Sequence, residues 1–209
     1  MKSLHCTLVT DGSSDQALLP VIDWLVRSKL PSTPVKCEWA NLRPLGTPKG
    51  LENRIRAAVY RYPCDLLFVH RDAEREPREN RVDEIKTTIK TTGMAVPFVC
   101  VVTVRMQEAW LLIDEPAIRR AAGNPHGKAM LSLPKLQAIE KIPDPKELLH
   151  EQLRIASELT GRRLRSFSAH EHAFRVAELV ENWEPLRRLP AFAAFESELD
   201  EVLEAMPDE

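Results

Sequence analysis

Apolar and polar residues change their rhythm halfway along this chain. In the first hundred residues, short apolar runs alternate with stretches of helical spacing, the signature of βαβ units in a parallel sheet. Leu4 to Thr10 reads as strand one. Ser13-Ser14-Asp15-Gln16 has the S-x-x-Q form of a capping box, so helix one is expected from Ser13, with Leu18, Val21, Ile22 and Leu25 on its apolar face and Pro20 kinking or restarting it. Val35, Cys37 and Trp39 alternate with Lys36 and Glu38, as on a half-exposed edge strand. Leu51, Ile55, Ala58, Val59 and Tyr62 mark helix two, and Asp65 to His70 is strand three. Val82, Ile85 and Ile89 line a third helix ending near Gly93. Phe98 to Val104 is almost wholly apolar and reads as a central strand four. The charged stretch Arg71 to Arg81, with Pro77 inside it, is expected to be an exposed loop at the functional end of strand three.

After Met106 the strand signals stop and helical stripes take over, separated by Gly123-Asn124-Pro125 and Pro143-Asp144-Pro145. Leu149, Leu153 and Ala156 form one stripe; Phe174, Ala177 and Val180 a second; Phe192, Phe195, Leu199, Val202 and Leu203 a third. The expected organisation is an α/β unit over residues 1–115 with a four-stranded, mainly parallel sheet flanked by helices, followed by a helical region over 116–209. Whether those stripes cover one another or the α/β unit is left open by the pattern.

Composition narrows the classes. With 209 residues, 44% of them hydrophobic, the chain can bury a sizeable core, and a net charge of −2 supplies no overall basic field to announce a nucleic-acid partner. A local basic groove is still compatible with that balance. No signal peptide and no membrane-length apolar run is seen, so a cytoplasmic protein without a membrane partner is expected. Cys6, Cys37, Cys64 and Cys100 include no C-x-x-C pair and are expected to be reduced core residues.

The candidate chemistry is acidic. Leu66 to Val69 runs into His70-Arg71-Asp72-Ala73-Glu74, and in extended chain Asp72 and Glu74 would project to the same side. Asp11 follows strand one, and open α/β sheets place ligands outside the carboxyl ends of their strands. Three carboxylates meeting there would repel one another unless a cation neutralised them, and Mg²⁺ prefers such oxygen ligands. Glu108, directly after strand four, is a fourth acidic candidate and equally a residue favoured by the start of a helix. Asp11 is open to a plain turn reading with Gly12, Asp72 and Glu74 to a solvated charge run, and Asp15 to a helix-dipole role. For backbone phosphates the candidates are Lys49, Arg71 and the cluster Arg162, Arg163 and Arg165.

An acid-Gly turn after strand one with a D-x-[DE] after strand three resembles the TOPRIM domain of topoisomerases, bacterial primases and overcoming-lysogenization-defect nucleases. Val9-Thr10-Asp11-Gly12-Ser13-Ser14-Asp15 together with Met106-Gln107-Glu108-Ala109-Trp110-Leu111-Leu112 is similar to an uncharacterised bacterial group of small TOPRIM-like proteins. The resemblance covers roughly residues 4 to 113. It implies Mg²⁺ or Mn²⁺ held by Asp11, Asp72 and Glu74 for phosphodiester chemistry, with Glu108 assisting, and a nucleic-acid substrate, DNA favoured over RNA. Small nucleases of this type also resemble components of two-protein phage or plasmid defence systems, which implies an ATPase partner. Asp11 is one methylene shorter than the family's Glu, and Glu74 one longer than its second Asp. The alternative is a catalytically silent TOPRIM-like scaffold or a receiver-like phosphoacceptor module; a receiver would usually show paired acids after strand one and a Lys after strand five.

Other matches fail. His70-Arg71-Asp72 spells a kinase triplet but has Pro77 where the metal-binding Asn belongs, and His170-Glu171-His172 spaces its histidines wrongly for a zinc helix. No P-loop, dinucleotide fingerprint or serine elbow is present.

Overall fold

The computed structural model describes residues 3–46 and 48–206, the side chain of Leu45 excepted. Four strands, β1 (Leu4–Val9), β2 (Val35–Trp39), β3 (Leu66–Asp72) and β4 (Phe98–Thr103), form one sheet in the order β2-β1-β3-β4 with every pairing parallel. Helices α1 (Leu19–Lys29), α2 (Leu51–Arg61) and α3 (Arg78–Thr92) make the crossovers. Then come α4 (Glu115–Ala121), α5 (Pro145–Ser157), α6 (Gly161–Arg165), α7 (Ala169–Leu179) and α8 (Pro190–Ala205). The α/β architecture with a helical C-terminal half is as expected.

Alternation along the strands divides the core in two. Cys6, Leu8, Leu66, Phe68, Val99 and Val101 face one side, where they pack with α1 and with the C-terminal helices. Val9, Leu67, Val69, Cys100 and Val102 face the other, under Ile55 and Ala58 of α2 and Ile85 and Ile89 of α3. All three C-terminal stripes join the first cluster, so they cover one another and the sheet at once. Phe195 meets Phe68 edge-on at 6.1 Å and Trp110 meets Phe192 at 5.1 Å.

Several expectations need correction. Strand four is not central: β4 pairs only with β3, and it is apolar because α3 and α8 cover its two faces. β3 runs two residues further than expected, carrying Arg71 and Asp72 into the sheet, and α3 begins at Arg78. The Ser13 capping box is not formed; a 3₁₀ turn over Ser14–Leu18 precedes α1, and Asp15 Oδ2 accepts from the Gly12 N–H at 2.9 Å. Pro20 sits in the first turn of α1, where its missing N–H costs nothing. Gly93 ends α3 at φ 67°, a left-handed conformation suited to glycine. The four cysteines are free; Cys6 and Cys100 are core residues as expected, whereas Cys37 and Cys64 are only half-buried. No helix among the described residues is long and apolar enough to cross a membrane.

Candidate active site

The chain leaves β1 for β2 on one side and reaches β3 on the other, so the crevice between the carboxyl ends of β1 and β3 is the topological switch point of the sheet. Doubly wound sheets bind ligands there because adjacent connections diverge to opposite faces. A polar cavity of about 300 Å³ occupies that position, lined by Asp11, Asp15, His70, Arg71, Asp72 and Glu74. Three of the four acids expected from the sequence therefore share one cavity.

The reason they meet differs from the expected one. Asp72 is the last residue of β3, and its in-phase neighbour is His70: the two project to the same face, with His70 Nε2 3.4 Å from Asp72 Oδ1. Glu74 lies past the strand in a left-handed conformation, φ 54°, and its N–H donates to the carbonyl of Arg105, itself at φ 64°. Two facing left-handed residues, each conformation costing about 1 kcal/mol, shape this rim and aim Glu74 by a turn.

Asp72 Oδ1 is heavily engaged. It accepts from Thr103 Oγ1 at 2.6 Å, its cross-strand neighbour on β4, and from the Gln107 N–H at 3.1 Å. Burial opposes ionisation of Asp72, but the His70 hydrogen bond and charge, with Thr103 and Gln107, outweigh it and hold the carboxyl below its ordinary range. His70 shows the mirror image. Burial disfavours its imidazolium, yet the Asp72 hydrogen bond and charge prevail and the net shift is upward. Its Nδ1 lies 2.8 Å from the carbonyl of Val101, which can only accept, so Nδ1 carries a proton and Nε2 carries the one shared with Asp72.

Asp11 is held by cations. Arg54 from α2 and Arg71 from β3 each grip one of its oxygens, the latter at 2.8 Å. Arg71 continues to Glu84 on α3 at 3.5 Å, and Glu84 to Arg81 at 2.9 Å, whose Nε also donates to the Asp72 carbonyl. Arg43 bonds to Ser13 beside them. Buried Asp15 accepts from the Gly12 N–H, Ser14 Oγ and Gln107 Nε2.

Glu108 is not in this cavity. It lies buried in the 3₁₀ segment Gln107–Ile113, pairs with Lys146 of α5 at 3.2 Å, and opens onto a neighbouring hollow. Burial raises its carboxyl pKa against the pull of Lys146. Lys49 is exposed in the loop before α2, and Arg162, Arg163 and Arg165 are exposed on α6; none of them lines the acidic cavity. Reasoning from sequence missed His70, Arg54, Arg43, Thr103 and Gln107. His70 had a signal in its i, i+2 phase with Asp72, and Gln107 stood within the Met106–Leu112 motif that carried the resemblance.

No group of three or more His, Cys, Asp or Glu side chains among the described residues surrounds a point suited to a metal ion. The donor chemistry nevertheless fits a magnesium-type cation, which is usually held through one or two carboxylates plus substrate phosphates and keeps several waters. Among the described residues, Asp72 Oδ2 and the Glu74 carboxylate accept no hydrogen bond, so these two would hold it.

The chain matches no family model, no curated protein and no solved structure.

Proposed function

We propose that this protein is a Mg²⁺- or Mn²⁺-dependent phosphodiesterase, a nuclease of the TOPRIM type acting on DNA in preference to RNA. The observation that carries the reading is the free oxygen of a charge-stabilised Asp72 at the switch point of a parallel sheet, facing a cavity shared with Asp11, Glu74 and Arg71. A bound divalent ion would supply Lewis acidity toward a phosphoryl oxygen.

The chain's own residues supply the rest. Thr103, Gln107 and His70 fix the Asp72 carboxylate by engaging Oδ1, and Asp72 lines the cavity. Arg54 and Arg71 are planar donors suited to phosphate, so a diester entering the cavity competes with Asp11 for them. Asp11, released by that exchange, turns its oxygens to the same side as Asp72 and Glu74. In the free protein the arginines instead neutralise Asp11, which prevents three carboxylates from repelling across the cavity.

The test compares Asp72→Asn with Asp65→Ala on single-stranded and plasmid DNA in Mg²⁺ and Mn²⁺. Asparagine keeps an acceptor for Thr103 and the Gln107 N–H, whereas Asp65 lies at the other end of β3, bonded to the backbone of His5. Cleavage should fall by at least about 100-fold, roughly 3 kcal/mol of barrier, in the first variant and persist in the second. Asp72→Asn as active as the parent overturns the assignment. The arginine clasp on Asp11 also suits a silent scaffold, and that reading requires that Mg²⁺ titration leave the protein's stability unchanged.

A further inference from the structure

A second cavity, about 330 Å³, is lined by Gln107, which bonds to two acids of the first. One residue joins them: the Gln107 backbone N–H donates to Asp72, its Nε2 donates to Asp15, and its side chain lines the second cavity. The walls are of two kinds. Ala17, Leu111, Ala173 and Phe174 make an apolar side; the polar side joins the carboxylates of Glu108 and Glu171 to His170 and to the hydroxyl and amide groups of Ser13, Ser14 and Gln16. One feature points to a ligand with hydrogen-bond donors. Glu108, on the cavity wall, is only 6% exposed, and its one ion-pair partner, Lys146, takes Oε1.

Resting on the phosphodiesterase reading, we propose that this cavity receives one unstacked nucleobase of the nucleic acid whose backbone reaches Asp72, and that it selects bases carrying an exocyclic amino group. A nucleobase is flat and apolar on its faces, polar only at its edge, which matches a cavity with an alanine- and phenylalanine-bearing side and a buried carboxylate on its polar side. A carboxylate accepts from the cytosine amino group, whereas thymine and uracil carry a carbonyl at that position, which opposes the carboxylate's lone pairs and leaves N3–H as that edge's one donor. Phosphate chemistry at Asp72 and base recognition beside Glu108 are then coupled through Gln107, which touches both.

The experiment measures binding of 2′-deoxycytidine 5′-monophosphate, thymidine 5′-monophosphate and deoxyribose 5-phosphate to the full chain by calorimetry, in chelator so that no cleavage or metal enters. The cytidine nucleotide should bind at least about tenfold more tightly than the thymidine one, within the range of one good base-edge contact. Glu108→Gln, nearly isosteric, should bring the two within about twofold, because its amide presents a donor as well as an acceptor. Ala173→Phe should fill the cavity and weaken the cytidine nucleotide at least about tenfold; should it unfold α7, as judged by circular dichroism, Glu108→Gln alone decides. Equal affinities for all three probes, no saturable cytidine-nucleotide binding, or a preference surviving Glu108→Gln each overturns the proposal. Cleavage without base preference removes this inference and leaves the nuclease standing; base preference without metal-dependent cleavage does the reverse.

Discussion

The His70–Asp72 pair predicts how stability depends on pH. The two groups stand 3.4 Å apart in a site where the His70 side chain is 2% exposed. At an effective dielectric of about 20, opposite charges at that distance attract by about 5 kcal/mol before desolvation is subtracted. Burying the imidazolium opposes much of this, and hydrogen bonds to charged groups contribute about 1.5–3 kcal/mol net. The sign follows from the shifts. His70 has its folded pKa raised above the ordinary 6.5, so its contribution is complete below about pH 6.5 and is lost as pH rises through the folded value. Asp72 has its folded pKa lowered below 3.8, so its contribution is complete above that value and is lost as pH falls through the folded one. The pair therefore contributes fully between about pH 4 and 6.5. Urea unfolding of the parent and of His70→Gln at intervals from about pH 5 to 9 reads this directly. The other five of the six histidines are common to both proteins and cancel in the difference. That difference should be largest near pH 5–6 and shrink by about 1.5–3 kcal/mol on the alkaline side. A difference that is flat with pH, or that grows as pH rises, refutes the charged pair.

Two further outcomes test the architecture. Phe195→Ala removes a fully buried ring that touches Phe68, Trp110 and Phe192, and it should cost about 3–5 kcal/mol in chemical denaturation. Because that ring joins α8 to the sheet, sheet and C-terminal helices should still unfold in one transition; a separate early melting of helix would show that the two halves are independent. Gly93→Ala places a β-carbon in a left-handed backbone with no neighbour within 4 Å, so only conformational strain, about 1 kcal/mol, should appear in the unfolding midpoint.

Much of the fold was legible in local pattern, for reasons that are physical. The unbroken apolar run Leu66 to Val69 and the helical spacing of Val82, Ile85 and Ile89 record burial on both faces and on one face, and both elements formed, β3 running two residues past its expected end. The misreadings came where local pattern has two causes. β4 is apolar because helices cover an edge strand, and apolar content alone cannot separate that from a central position. Ser13 offers the same capping hydroxyl whether or not the turn uses it; here Asp15 accepts the Gly12 N–H and the helix starts later. The C-terminal stripes announced that they were covered, but their partner, the face bearing Phe68 and Val101, lies about a hundred residues away in the chain.

The acids could be read from the sequence and their charge compensation could not. Asp11 and Asp72 end adjacent strands, which the βα rhythm places together, so their sharing a cavity follows from topology. What each carboxylate touches depends on residues from other elements: Arg54 from α2 for Asp11, Thr103 and Gln107 from around β4 for Asp72. The two acids are thereby made different. Asp11, 42% exposed at its side chain, is matched to two guanidinium groups, the kind of planar donor that also suits a phosphate. Asp72, 28% exposed, is matched to a buried histidine and a hydroxyl on the neighbouring strand, with a backbone amide beside them, all held by the sheet and its exit segment. Under the proposed phosphodiesterase reading, the Asp11 carboxylate would become a ligand only once a phosphate had drawn its arginines away, while Asp72 would keep its geometry throughout.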